Sequence, residues 1–141
     1  MINEMAEKFA AEAEEWIDTP YHHRAWIKHQ GCDCGGLLKG VAQTAGLVEN
    51  VILPQYGEGE DNLERLVDVL AQYSDQVERS PQRGDVIVFS NEIGMPGHAG
   101  IMTGSDRFVH AINEPIMKVK SSTLRDPRFG EAIHSVWEVR P

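Results

Sequence analysis

Cysteine is scarce in this chain of 141 residues: there are two, Cys32 and Cys34, with one residue between them. Neighbours that close would form a badly strained ring if bridged. Both are therefore expected as free thiols in a reducing compartment, and a disulfide framework is excluded. Basic residues are also few. Thirteen Lys and Arg stand against 22 Asp and Glu, a formal net charge of −9, whereas a duplex nucleic-acid binder needs a basic footprint to neutralise phosphates. No apolar run reaches the roughly 18 residues of a membrane span. The acidic first fifteen residues lack the basic and apolar regions of a secretory signal, and no lipobox-like cysteine follows. Synthesis and residence in the cytoplasm is the expectation, or exit by a route that needs no such signal. Internal repeats and low-complexity tracts are missing too, which removes repeat arrays and disordered linkers from consideration.

What is present is an ordinary globular composition, 41% hydrophobic and 25% charged. The length fits a single domain over 1–141. A chain of this size buries about 68% of its unfolded surface, enough to fold without disulfide or metal. Residues 3–17 carry Met5, Phe9, Ala13, Trp16 and Ile17 at helical spacing, and Asp18-Thr19-Pro20 ends the run. The stretch 21–33 is expected as a loop, one unusually rich in His and containing Trp26. A second helix over 34–44 presents Leu37, Leu38, Val41 and Ala45 on one face, with Gly46 as C-cap. Residues 48–60, with Pro54, Gly57 and Gly59, read as a loop. Asp61 is then expected to cap a third helix with Leu63, Leu66, Val67, Leu70 and Tyr73 on its apolar side. After Pro81 the period changes to that of strands, at 85–89, 98–103, 108–111, 117–120 and 133–139. Helices first and strands afterwards predict an α+β fold, with N-terminal helices packed on a central antiparallel sheet. The acidic residues Glu12, Glu14, Glu15, Glu58, Glu60 and Asp61 are expected to form a solvated face.

Chemistry concentrates in three places. Cys34 stands where the loop ends and the second helix begins, in Gly31-Cys32-Asp33-Cys34-Gly35-Gly36-Leu37. A helix start offers free N–H groups and partial positive charge, which should lower the thiol's pKa and favour the nucleophilic thiolate. Gly35 and Gly36 occupy positions where a helix former is expected, and small residues there let a substrate backbone approach. Asp33 is a charged residue that a purely apolar pocket would not hold unpaired. His98 follows a loop, and an imidazole suits general-base work at neutral pH. His110 lies twelve positions on, where an adjacent antiparallel strand would bring it beside His98 to fix that ring's orientation. The bland alternatives are a buried core cysteine, a strand-end histidine and a satisfied core histidine. A further alternative is zinc held by His22, His23, His29, Cys32 and Cys34, although Cys-x-Cys is not the usual structural spacing.

Taken in order, five motifs resemble the NlpC/P60 family of papain-like cell-wall cysteine peptidases, from about Phe9 to Val139. They are Trp16-Ile17-Asp18-Thr19-Pro20-Tyr21, Asp33-Cys34-Gly35-Gly36-Leu37, Gly84-Asp85-Val86-Ile87-Val88-Phe89, His98-Ala99-Gly100-Ile101 and Val109-His110-Ala111. The resemblance implies a papain-like α+β fold with Cys34 as nucleophile, His98 as general base and His110 as the orienting residue. It implies that Tyr21 lines the cleft near the oxyanion site, beside Gly35, and that Asp33 helps hold the substrate's amino terminus. The implied substrate is a peptidoglycan stem peptide, commonly cut between D-γ-glutamate and a diamino acid, with no metal or other cofactor. Two departures bear on substrate choice. Gly35 replaces the family's usual Ser, and His22-His23-Arg24 replaces a frequent Gly-Gly. The Gly-Cys-Asp-Cys box and the Thr-Pro-Tyr-His-His-Arg segment look most like the phage-tail and prophage branch, whose partners are other tail proteins. A non-catalytic tail-assembly protein and a thiol-dependent amidase or acyltransferase on the same fold remain the alternatives.

Overall fold

The structure, a computed structural model, describes residues 3–53 and 64–141. Helix α1 (Glu4–Glu14) starts at Asn3, whose Oδ1 accepts from the N–H groups of Met5 and Ala6 at 3.1 and 3.2 Å. The same side chain donates to the Val139 carbonyl at 2.6 Å, tying the helix start to the last strand. Ala6, Phe9, Ala10 and Ala13 are its buried face. The helix ends three residues short of the periodicity because Asp18 turns into left-handed backbone, with φ +75°. Trp16 stays fully buried while Ile17 is 36% exposed, so the apolar stripe ends with Trp16.

Two hairpin arms of two residues each, β1 (Trp26–Ile27) and β2 (Gly31–Cys32), bring the chain to α2 (Cys34–Thr44). The expectation of an unstructured loop here is corrected to that extent. Helix α2 matches its expected span. At its end Gly46 takes φ +77°, and the N–H groups of Leu47 and Gly46 close onto the Ala42 and Gln43 carbonyls. That is a Schellman closure, which satisfies carbonyls the helix leaves open. Gly40 lets α2 lie on α1, since a Cβ there would run into the Trp16 ring.

The third helix, α3 (Glu64–Tyr73), buries Leu66 and Leu70 but leaves Tyr73 40% exposed, against its expected apolar placement. The expected cap Asp61, and Leu63, lie outside the described residues. The strands β3 (Ser74–Val77), β4 (Val86–Ser90), β5 (Pro96–Met102), β6 (Arg107–Ile112), β7 (Lys118–Thr123) and β8 (Ile133–Val139) form one sheet in the order β3-β8-β4-β5-β6-β7. Every pairing is antiparallel. Strand β3 and the short helix α4 (Pro127–Gly130) were not expected from the periodicity.

The strands' two-residue alternation builds two cores. On one face Val86, Val88, Ala99, Ile101, Val109, Ala111 and Val119 meet Phe9, Trp16, Leu37, Leu38 and Val41 of the helices. On the other, Ile87, Phe89, Met102 and Phe108 are covered by Leu124, Phe129 and Ala132. Gly84, at φ +94°, passes so close to α1 that a Cβ would strike Ala6. Asp85 beside it is 1% exposed, and Arg79 and the Gln82 N–H hold its carboxylate at 2.7 to 3.1 Å. The Gly84-Asp85 pair is thus a packing and turn device.

The acidic face is not simply solvated. Lys28 pairs with Glu12 and Glu15 at 2.7 and 2.9 Å, fastening the segment before α2 to α1. Arg83 pairs with Glu7 and Glu14 at 2.9 and 2.7 Å. Glu58, Glu60 and Asp61 lie outside the described residues.

Candidate active site

Helix α2 begins at Cys34 because Asp33 caps it. Its Oδ1 accepts from the Gly36 N–H at 2.7 Å, and its Oδ2 accepts from the Arg24 N–H at 2.8 Å. One carboxylate, 1% exposed, therefore holds both the helix start and the preceding loop. The His23 ring stands 3.8 Å from the same Oδ2. Arg24 adopts φ +61°, a left-handed geometry that a side chain rarely takes, and its N–H bond to Asp33 keeps it there. Tyr21 is fastened from both sides: its N–H donates to Met117 at 2.9 Å and its backbone bridges Cys32. It packs, partly buried, against the same core as Cys34. Gly36 needs its missing side chain for a reason other than substrate approach. A Cβ there would fall on the Ala25 carbonyl oxygen of the chain's own loop.

The sulfur of Cys34 is brought to β5 by a gap in the sheet. β5 and β6 pair only at Ile101↔Val109 and Met102↔Phe108, and then part. Ala99 has the same orientation as Ile101, so its N–H faces the opening where β6 has left. There it lies toward the Cys34 sulfur, and with the N–H groups of Cys34 and Gly35 it favours the ionised form of that thiol. The neighbour of Ala99 in sequence is His98. Its Nε2 lies 2.7 Å from His110 Nδ1, and His110 Nε2 lies 2.7 Å from Ser122 Oγ on β7. The geometry therefore links His98, His110 and Ser122, and sets the Cys34 sulfur beside Ala99, the residue that follows His98. Sequence reasoning passed over Ser122, whose placement follows only from the register Phe108↔Ser122.

Aromatic rings enclose the two histidines. Phe89 stacks on His98 at 6.0 Å between centroids, and Phe108 and Phe129 approach His110 at 4.6 and 5.2 Å. This apolar wall disfavours charge. Burial brings His98 down to about 4, and burial together with the neighbouring His98 brings His110 down to about 3. The expected lowering of the Cys34 pKa is corrected. Burial, then the Asp33 carboxylate, pushes the thiol up to about 12, against the pull of three backbone N–H groups. Neither Cys34 nor His98 ionises readily alone.

The remaining thiol and histidines do not converge. Cys32 is fully buried in the core. His22 and His29 are exposed, and among the described residues no group of three or more His, Cys, Asp or Glu is arranged to hold a metal. No helix of the described residues is long and apolar enough to cross a membrane.

A cysteine at a helix start, facing a histidine-bearing antiparallel sheet, defines the papain-like class of α+β folds. The NlpC/P60 family model matches residues 18–138, and the chain belongs to that family, whose members are cysteine hydrolases acting on peptidoglycan. A gamma-DL-glutamyl hydrolase of Bacillus subtilis (strain 168) is 33% identical over 105 residues, which are 71% of this chain and 22% of that protein. The chain thus spans about a fifth of this curated relative. An NlpC/P60 family protein from Bacillus cereus ATCC 10987 superposes with a TM-score of 0.70 at 17% identity, over 96% of this chain and 40% of that one. An N-acetylmuramoyl-L-alanine amidase from Bacteroides uniformis ATCC 8492 does so with a TM-score of 0.68 at 11% identity, over 99% and 100% of the two chains. At these identities the two structures speak for the fold.

Proposed function

We propose that this chain is a cysteine endopeptidase of peptidoglycan stem peptides, cutting the bond between D-γ-glutamate and a diamino acid. The observation that carries the reading is that the Cys34 sulfur lies beside Ala99, the residue after His98, while His98 Nε2 is held by His110 at 2.7 Å. That bond leaves His98 Nδ1 for the thiol. As Sγ attacks the scissile carbonyl, its proton passes to Nδ1 and a tetrahedral intermediate forms. The Cys34 N–H at the helix start stabilises the oxyanion. Collapse breaks the C–N bond, His98 returns the proton to the leaving amine, and a thioester remains. Water, deprotonated by His98, then releases the acid and regenerates the thiol. Tyr21 and Gly35 border the reacting carbon, and Asp33, besides capping α2, contributes negative charge toward the substrate's amino end. No metal or other cofactor enters these steps.

Residues 1–141 form one peptidase domain, and its setting is a phage or prophage tail that opens the wall locally. Support for the stem peptide comes from family membership and from the gamma-DL-glutamyl hydrolase relative. Support for the tail setting is confined to the Gly31-Cys32-Asp33-Cys34 and Thr19-Pro20-Tyr21-His22-His23-Arg24 segments. The test is digestion of purified muropeptides with the wild-type chain and with Cys34→Ala, products being read by mass spectrometry. A new amino terminus on the diamino acid, absent with the variant, is expected. Release of L-alanine from muramic acid would replace the endopeptidase reading with an amidase one, and cleavage by Cys34→Ala would end both.

A further inference from the structure

We infer that Ser122 is a positioning residue that keeps the working tautomer of both histidines populated. The inference rests on the roles proposed for Cys34 and His98. One proton is shared across the 2.7 Å contact between His98 Nε2 and His110 Nδ1, so two arrangements exclude each other. In the first, His98 donates from Nε2. Its Nδ1 is then a lone pair able to accept the thiol proton, and His110 must carry its own hydrogen on Nε2. In the second, His110 donates from Nδ1, and His98 carries its hydrogen on Nδ1, where it cannot act as the base proposed for it. Only the first arrangement can start the reaction.

The environment of His110 decides between them. The ring is 2% exposed, with Phe108 and Phe129 against it. Lys120 is its cross-strand partner, but the Lys120 ammonium is engaged by Asp18 at 3.0 Å. Ser122 Oγ, at 2.7 Å, is the hydrogen-bonding group at His110 Nε2. A buried N–H without an acceptor is a costlier state than a buried lone pair without a donor. Without the Ser122 hydroxyl, the first arrangement strands an N–H and the second strands only a lone pair. The hydroxyl therefore keeps the productive tautomer populated, from a position 12 residues and one strand away from His110. Gly100 assists, since it brings β5 so near that a Cβ there would lie 3.3 Å from the His110 Cβ.

The experiment compares wild type, Ser122→Ala, Ser122→Thr and the control Ser121→Ala, whose hydroxyl meets Arg107 instead. Histidine ring ¹⁵N spectra at pH 7 report the tautomers, and the rate of Cys34 alkylation by iodoacetamide reports the base. In the wild type both rings should carry hydrogen on Nε2. Ser122→Ala should move them toward Nδ1 and slow alkylation by roughly tenfold, the worth of one buried hydrogen bond. Stem-peptide turnover should lose kcat with KM unchanged. Ser122→Thr should restore all three, and Ser121→Ala should leave them unaltered. Unaltered tautomers and alkylation in Ser122→Ala would overturn the inference. So would a loss that threonine fails to restore, which marks a packing defect. Neither primary readout uses a peptide substrate, so a wrong substrate assignment leaves this test intact.

Discussion

Removing the base without emptying its place is the sharpest perturbation the site offers. In His98→Gln the side chain keeps much of the imidazole's bulk and its polar reach but cannot take a proton at neutral pH. Cys34 would then stand with burial and the Asp33 carboxylate holding its thiol up at about 12. At pH 7 such a thiol is ionised to roughly one part in 10⁵, against about 3% for an ordinary cysteine of pKa 8.5. The ionised fraction thus falls about three thousandfold. A more basic thiolate is intrinsically more nucleophilic, and with a Brønsted slope of about 0.4–0.5 this recovers roughly fortyfold. Cys34 in the variant should therefore react with iodoacetamide about a hundredfold more slowly than free cysteine. The wild type, with His98 to receive the proton, should react faster than free cysteine. Peptide mapping after timed quenching separates Cys34 from Cys32, which is fully buried and serves as the internal zero. An undiminished rate in His98→Gln would refute the coupling of these two groups, and with it the base assigned to the reaction.

Two other perturbations test the frame around the site. Gly36→Ala places a methyl against the Ala25 carbonyl oxygen, a backbone atom that cannot swing aside. A loss of about 1–3 kcal/mol in urea unfolding is expected from such overpacking, with faster proteolysis of the 21–33 segment. Wild-type stability would show that the loop does not rest on the helix start. The two histidines make a prediction about acid. Their folded pKa values of about 4 and about 3 lie below an unfolded value near 6.5, so the unfolded chain binds protons first. Stability is complete above about pH 6.5 and falls as pH drops from there toward 4, at up to about 1.4 kcal/mol per pH unit for each ring. Urea midpoints at pH 7 and pH 5 measure the fall, and His110→Gln should reduce its slope by about half. An unchanged slope in that variant would show that His110 is not held neutral by burial.

Much of this architecture was legible from spacing alone. The apolar face of α2 and the alternation of β4, β5, β6 and β8 are local patterns, and each was found within a residue or two. Strand β3 escaped because Ser74-Asp75-Gln76-Val77 is polar and forms the sheet's edge, where pairing with β8 supplies what its own sequence does not. Helix α4 has four residues and no period to detect. In the site, Cys34, His98 and His110 were visible as residue types beside a helix start and in strand-like runs. The joining of His98 to His110, and the setting of Ala99 beside Cys34, depend on register and on the parting of β5 from β6, neither of which spacing records. Ser122 was invisible for the same reason, since a serine in a strand becomes informative only when its cross-strand neighbours are known.

The thiol's pKa shows why a local rule can point the wrong way. A helix start favours an adjacent anion by at most about 2 kcal/mol, or roughly one and a half pKa units. Desolvation of a buried ionisable group shifts it by up to about 3–5 units in the opposite sense. The larger effect wins at Cys34, and Asp33 reinforces it, although this same carboxylate is what caps α2 and creates the favourable helix start. The capping residue cannot be removed to ease ionisation without loosening the helix that aims the sulfur. In the proposed mechanism, proton transfer from Cys34 to His98 avoids the conflict, because no isolated charge has to be formed. A site of this construction depends on the orientation of its base more than on a depressed thiol pKa. The hydrogen bonds from His98 to His110 and on to Ser122 are therefore the part of the arrangement most sensitive to a single lost hydroxyl.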